Sequence, residues 1–113
     1  MTDVFSEQLI VQLPMGLSQD DLGIRHRLED TIEVALTGVA VGLVDGGDIG
    51  SGTMNVFALV DPARWDEAVT AVRSLLDDAN LSEVAVIARR DCTDEESEPR
   101  IVWPEGSVQE FQY

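Results

Sequence analysis

Apolar residues recur along this chain with two spacings, and the changes from one to the other mark its elements. Gln8, Leu9, Ile10, Val11, Gln12 and Leu13 form a short run, rich in β-branched side chains, that stops at Pro14-Met15-Gly16. A strand followed by a breaker is expected there. From Ile24 onward the spacing is helical. Ile24, Leu28, Ile32, Ala35 and Leu36 form one stripe, and His26, Glu29, Asp30 and Glu33 occupy the opposite face. Ser18 is placed to cap this helix near residue 19, with Asp21 three residues on and Leu17 and Leu22 at the positions of a hydrophobic staple. Gly38 supplies a stop.

Beyond Gly38 the period returns to two. Val39, Val41 and Leu43 alternate with Ala40, Gly42 and Val44; after a glycine-rich stretch, Met54, Val56, Ala58 and Val60 alternate with Asn55, Phe57 and Leu59. This predicts a hairpin. Asp61 then offers an N-cap and Pro62 suits the first helical position. Trp65, Ala68, Val69, Val72, Leu75, Leu76 and Ala79 make the clearest helical stripe in the chain, with Asn80 as a left-handed cap. A last core strand is expected over Glu83 to Ala88, ending at Arg89-Arg90.

The order strand, helix, strand, strand, helix, strand is the split β-α-β arrangement called ferredoxin-like, an α+β fold with two helices on one face of an antiparallel sheet. Right-handed crossovers place strands one and three at the centre, so that the hairpin's first strand and strand four become edges and docking sites. The tail divides in two. Residues 91–99 carry Asp91, Asp94, Glu95, Glu96 and Glu98 and read as a solvated loop. Ile101, Val102, Trp103, Val108, Phe111 and Tyr113 then bring back large apolar side chains, so this segment should dock, with an additional strand as one form of docking. Residues 1–90 thus form the ferredoxin-like part, and 91–113 an acidic loop and docking segment of the same domain.

Charge narrows the partners. The 113 residues hold 22 Asp and Glu against 7 Arg and no Lys, a formal net charge of -15. Such a field repels nucleic acid and anionic membrane and attracts basic proteins. A coding bias toward Arg, with acidity serving only solubility, is the simpler reading. The N-terminal residues lack a basic and apolar leader pattern, no stretch is apolar enough to span a membrane, and the lone Cys92 fits a reducing cytoplasm.

Candidate chemistry is sparse. Asp45-Gly46-Gly47-Asp48-Ile49-Gly50-Ser51-Gly52 invites a phosphate-loop reading, but it lacks the lysine, leads into a strand and carries two carboxylates. Turn chemistry in a long glycine-bearing hairpin connection is the simpler account, and a recognition loop is the functional one. Metal binding by Asp45 and Asp48 has too few regularly spaced oxygens for a calcium loop. His26, the single histidine, is expected as a surface residue paired with a carboxylate one turn away. Cys92 lies between arginines and aspartates that oppose each other's effect on its thiol. Trp65 and Trp103 lack the basic flanks of a base-stacking platform and read as core or lid residues. No catalytic set, metal site or cofactor site emerges, and a non-enzymatic role is expected.

The stretch Val44–Leu59, with its Asp-Gly, Gly-Ser-Gly and Met54-Asn55-Val56-Phe57 pieces followed by Asp61-Pro62 and an amphipathic helix, resembles small bacterial ferredoxin-like proteins with a glycine-rich hairpin. In size and charge the chain is also similar to toxin-immunity proteins, whose acidity complements a basic toxin. This likeness in size and charge implies an acidic protein that occludes a basic protein partner as an immunity or inhibitor protein does; it carries no residues across, and the candidate contacts come from the chain's own charge pattern, Asp45 and Asp48 in the hairpin and Asp94, Glu95, Glu96 and Glu98 in the tail, with Trp103 as anchor. The alternative is a small-molecule-sensing regulatory domain of the amino-acid-binding type, and a homodimer is compatible with either.

Overall fold

The computed structural model describes residues 6–14, 21–38, 41–50, 53–91, 96 and 98–103, with the side chains of 21–22 and 48–50 outside that description. The elements are β1 (Glu7–Pro14), α1 (Asp21–Gly38), β2 (Gly42–Gly50), β3 (Thr53–Val60), α2 (Trp65–Asp78), β4 (Val86–Asp91) and β5 (Arg100–Trp103). They form an α+β structure with one antiparallel five-stranded sheet in the order β2-β3-β1-β4-β5. Alternation along β1 decides what each face carries. Leu9, Val11 and Leu13 stand beside Ala58, Val56 and Met54 of β3, and these residues pack with Leu28, Ile32 and Leu36 of α1 and Ala68, Val72 and Leu76 of α2 in one buried cluster. Both helices therefore cover the same face.

The opposite face carries the other half of the alternation, where Ile10 pairs with Phe57 and Ala88, and Gln12 with Asn55. Ile10 and Ala88 are fully buried there. Gln12 and Asn55 are buried too, and Gln12 Nε2 donates to Asn55 Oδ1 at 3.0 Å. A buried amide needs such a partner, since leaving one unmatched costs about 1–3 kcal/mol.

The start and end of α2 follow from local chemistry. Asp61 Oδ1 accepts from the Ala63 N–H at 3.0 Å, and Pro62 opens a single 3-10 turn that ends at Arg64, so the α-helix proper begins at Trp65. At the other end Asn80 adopts φ 60°. The Asn80 N–H donates to the Asp77 carbonyl and the Leu81 N–H to the Leu76 carbonyl, which is the Schellman pattern and satisfies two carbonyls that the helix leaves over.

Several expectations need correction. β2 begins later than expected and runs through the glycine-rich stretch to Gly50, so residues 45–50, expected as part of a long hairpin connection, are strand. β4 is also later, because residues 81–85 are spent on the turn after α2, in which the Val84 and Ala85 N–H groups both donate to the Leu81 carbonyl. Arg89 and Arg90 consequently lie within β4, opposite Leu9 and Gln8, and do not end it. Strand four is not an edge: β5 pairs with it through Ile87–Trp103, Ala88–Ile101 and Arg89–Arg100. Ala79 is exposed and does not join the α2 stripe, whereas Glu29 and Glu33 are half-buried and do not belong to a solvated face. Ser18, Leu17, Cys92, Val108, Phe111 and Tyr113, and the side chain of Leu22, lie outside the described residues. No described helix is long and apolar enough to cross a membrane.

Candidate functional site

The described acidic positions singled out in the sequence, Asp45, Asp48, Glu96 and Glu98, fall at opposite edges of the sheet. Asp45 occupies the outer strand β2, where the pairing with β3 shifts between Val44 and Gly46, so that Asp45 is the extra residue of a bulge and is exposed. Gly46 follows with φ 120°, a conformation that side-chain-bearing residues rarely adopt. Asp48 is in the same strand opposite Asn55, its side chain outside the described set. Glu96 and Glu98 are exposed just before β5, at the other edge, and Asp94 and Glu95 lie outside the described residues. Four inter-strand spacings, roughly 19 Å, separate β2 from β5. The hairpin and the tail are two patches.

β2 is built around backbone more than side chains. A Cβ at Gly42 would meet the Leu59 carbonyl oxygen at 2.5 Å, and one at Gly47 would meet the Asn55 carbonyl oxygen at 2.5 Å and Glu29 Oε1 at 2.7 Å. At Gly47 part of the space that a side chain would fill is taken by α1. Arg25 and Glu29 pair along the helix with Nε to Oε1 at 3.5 Å, and one turn further Glu33 Oε2 accepts the Val44 N–H at 2.5 Å. An outer strand presents unpaired N–H groups, and Glu33 covers one of them. His26, by contrast, is exposed, and its Nε2 lies 3.4 Å from Arg25 Nη2 with no carboxylate in that contact.

Trp103 is half-buried on the helical face of β5 and packs against the core cluster. The Arg73 guanidinium of α2 lies over its ring, 5.1 Å from the centroid. Thr70, Ser74, Asp77 and Ser82 complete a small groove beside it. The indole is thus engaged by α2. Trp65 has a similar cover: Arg89 stands 4.5 Å above its ring while its Nε donates to Glu7 Oε2 at 3.0 Å.

Taken together, these contacts tie up most of the cations. Arg25, Arg64 and Arg89 pair with Glu29, Glu67 and Glu7, and Arg73 and Arg89 stack on tryptophans. Arg64 grips Glu67 with two hydrogen bonds, Nη2 to Oε2 at 2.6 Å and Nε to Oε1 at 3.2 Å. That grip holds the Glu67 carboxyl below its ordinary range and raises the Arg64 guanidinium. Among the described residues Asp30, Asp45, Asp66, Asp77, Asp78, Glu83, Glu96 and Glu98 are exposed alongside Glu67, against only Arg27, Arg73 and Arg100. The surface is therefore negative even where arginines are near.

The sequence reading missed Glu33 and the Gln12–Asn55 pair. Glu33 sits one turn after Glu29, so an i, i+4 acidic pair facing a glycine-rich strand was the available signal; Gln12 and Asn55 were legible only through the strand alternation. Among the described residues no group of three or more His, Cys, Asp or Glu is placed to hold a metal ion. Comparison with known proteins finds no matching family model, no matching curated protein and no matching solved structure.

Proposed function

We propose that the chain is a non-enzymatic acidic binding protein on a ferredoxin-like β-α-β-β-α-β core extended by β5, and that it occludes a basic protein partner as an immunity or inhibitor protein does. The observation that carries this reading is the division of charge: Arg25, Arg64, Arg73 and Arg89 are engaged by carboxylates and tryptophans of the chain itself, while carboxylates on both helices, on β2 and before β5 face solvent. A surface of one sign steers encounter with a partner of the other and raises the association rate more than it slows dissociation.

The β2 patch is the stronger of the two. Asp45 is held in a strand paired to β3 on both sides of the bulge, so little conformational freedom is lost when it meets a partner. With the partner recovered by affinity capture, the association rate should fall markedly as salt rises from about 20 mM to about 500 mM, with little change in dissociation. Asp45→Asn with Asp48→Asn should slow association more than Glu96→Gln with Glu98→Gln. A salt-independent association rate would remove the docking role of the acidity, and equal or inverted effects of the two pairs would move the interface to the tail.

A further inference from the structure

Two exposed cations, Arg27 and Arg100, stand apart from the pattern, and Arg27 lines a groove. Arg27 is exposed on α1, and its guanidinium makes no ion pair, hydrogen bond or ring contact among the described residues, although the chain carries a formal charge of -15. It stands at a groove between α1 and the C-terminal end of α2, with a cavity volume of about 330 Å³. Ile24 and Leu28 form one wall, and Leu75, Ala79 and Leu81 the other. Thr31 also lines it, but its hydroxyl donates to the Arg27 carbonyl at 2.7 Å and has no proton left to offer.

The second wall is fixed by the cap of α2. Asn80 in its left-handed conformation turns the chain, and the Leu81 N–H reaches back to the Leu76 carbonyl at 2.8 Å. Leu81 is thereby set beside Leu75, the contact that usually accompanies this cap. The groove is in this way a consequence of well-determined helix-end chemistry. Its size is at the lower end of the ~300–1,000 Å³ typical of small-molecule sites, and its composition, apolar walls with one oriented polar group, is also theirs.

We propose that this groove binds a small amphiphilic anion, a carboxylate borne on an apolar chain or ring. The apolar body lies between Leu28 and Leu75, and the carboxylate meets the Arg27 guanidinium, which can take it through two hydrogen bonds. Charge decides the class. Among the described lining residues a cation would find no carboxylate, a neutral amphiphile would leave Arg27 unused, and a carboxylate uses both features. The site is independent of the docking patch on β2 and gives the sensing alternative a concrete ligand class.

The test uses octanoate and octanol, equal in chain length and different in charge, titrated into the whole protein at concentrations below micelle formation, with amide shifts read by NMR. Octanoate should shift the Ile24, Thr31, Leu75 and Leu81 amides saturably and bind more tightly than octanol. Arg27→Gln, a change on an exposed position with no packing role, should weaken octanoate by about fivefold and leave octanol unchanged. Ala79→Leu, which fills the groove from an exposed position, should weaken both. The proposal is overturned if neither compound binds, if octanol matches octanoate, if Arg27→Gln leaves octanoate binding intact, or if the shifts fall outside the groove.

Discussion

α1 and α2 lie on the same face of the same sheet and hold it by different means. α2 buries Trp65, Ala68, Val72 and Leu76, an apolar stripe that grips by area alone. α1 buries Leu28, Ile32 and Leu36 in the same core, but the residues it turns to β2 are Arg25, Glu29 and Glu33. The strand beneath explains the difference. β2 offers glycines at 42 and 47, where a side chain would strike the β3 backbone, so little apolar area is available to hold a helix there. Hydrogen bonding to strand backbone takes over, and it has a second effect, because Glu33 occupies the Val44 N–H that an added strand would seek. An edge built from glycine is thus both anchored and partly closed by one carboxylate.

The area-driven side should show the largest loss on mutation. Trp65 is 8% exposed at the head of the α2 stripe, and Trp65→Ala should cost about 3–5 kcal/mol in urea unfolding. Part of that loss comes through Arg89, whose resting surface disappears while its contact to Glu7 becomes more hydrated. A loss below about 1 kcal/mol would mean that α2 does not grip by area, and the contrast with α1 would fail.

The same contrast explains what could be read in the sequence. The α2 stripe, the Asp61–Pro62 start and the Asn80 cap were legible because apolar period and helix-end chemistry are local. The alternation of Met54 to Val60 marked β3 for the same reason. β2 was not legible beyond Val44, since glycines and aspartates read as a turn by propensity, and only pairing with Asn55 and its neighbours makes them strand. The displacement of β4 had a cause of similar kind: the Leu81 carbonyl gathers two N–H groups in a turn that no hydrophobic period announces. As for the candidate site, the sequence identified acidic positions at 45, 96 and 98 that are exposed, but it could not show that they stand at opposite edges. Nor could it show that the indole of Trp103, expected to anchor a partner, is covered by Arg73.

On the polar side a smaller effect with a distinctive signature is expected. Glu33→Ala removes the acceptor of the Val44 N–H and should cost about 1–2 kcal/mol, while Glu33→Gln keeps an amide oxygen in reach and should recover much of it. Because the freed N–H lies on an outer strand, Glu33→Ala should also increase self-association at high protein concentration, measured by sedimentation, more than Glu33→Gln does. If both variants lose the same stability and neither associates, Glu33 acts through its charge or its packing and not through the edge hydrogen bond.

The smallest effect belongs to the exposed pair at the start of α2. Arg64 and Glu67 meet in good geometry but in water, so solvent and salt screen most of the attraction. The hydrogen bonds from Arg64 lower the Glu67 carboxyl below its ordinary value of 4.5, and the Coulombic attraction acts in the same direction. A carboxyl whose folded value is lowered contributes stability that is present above its unfolded value and is lost as pH falls through the folded one. The loss should therefore be confined to pH below about 4.5 and be small, because the pair is exposed to solvent. An NMR titration of the Glu67 side chain should give a midpoint below 4.5 that rises toward it in Arg64→Gln or in about 1 M salt. Near neutral pH, Glu67→Gln should leave the urea midpoint where it was, although Glu33→Ala moves it. A Glu67 midpoint at or above the ordinary value would show that the Arg64 grip is not kept in solution. An effect of Glu67→Gln as large as that of Glu33→Ala would mean that exposed and half-buried carboxylates count alike here, and the distinction between the two helices would have to rest on Trp65 alone.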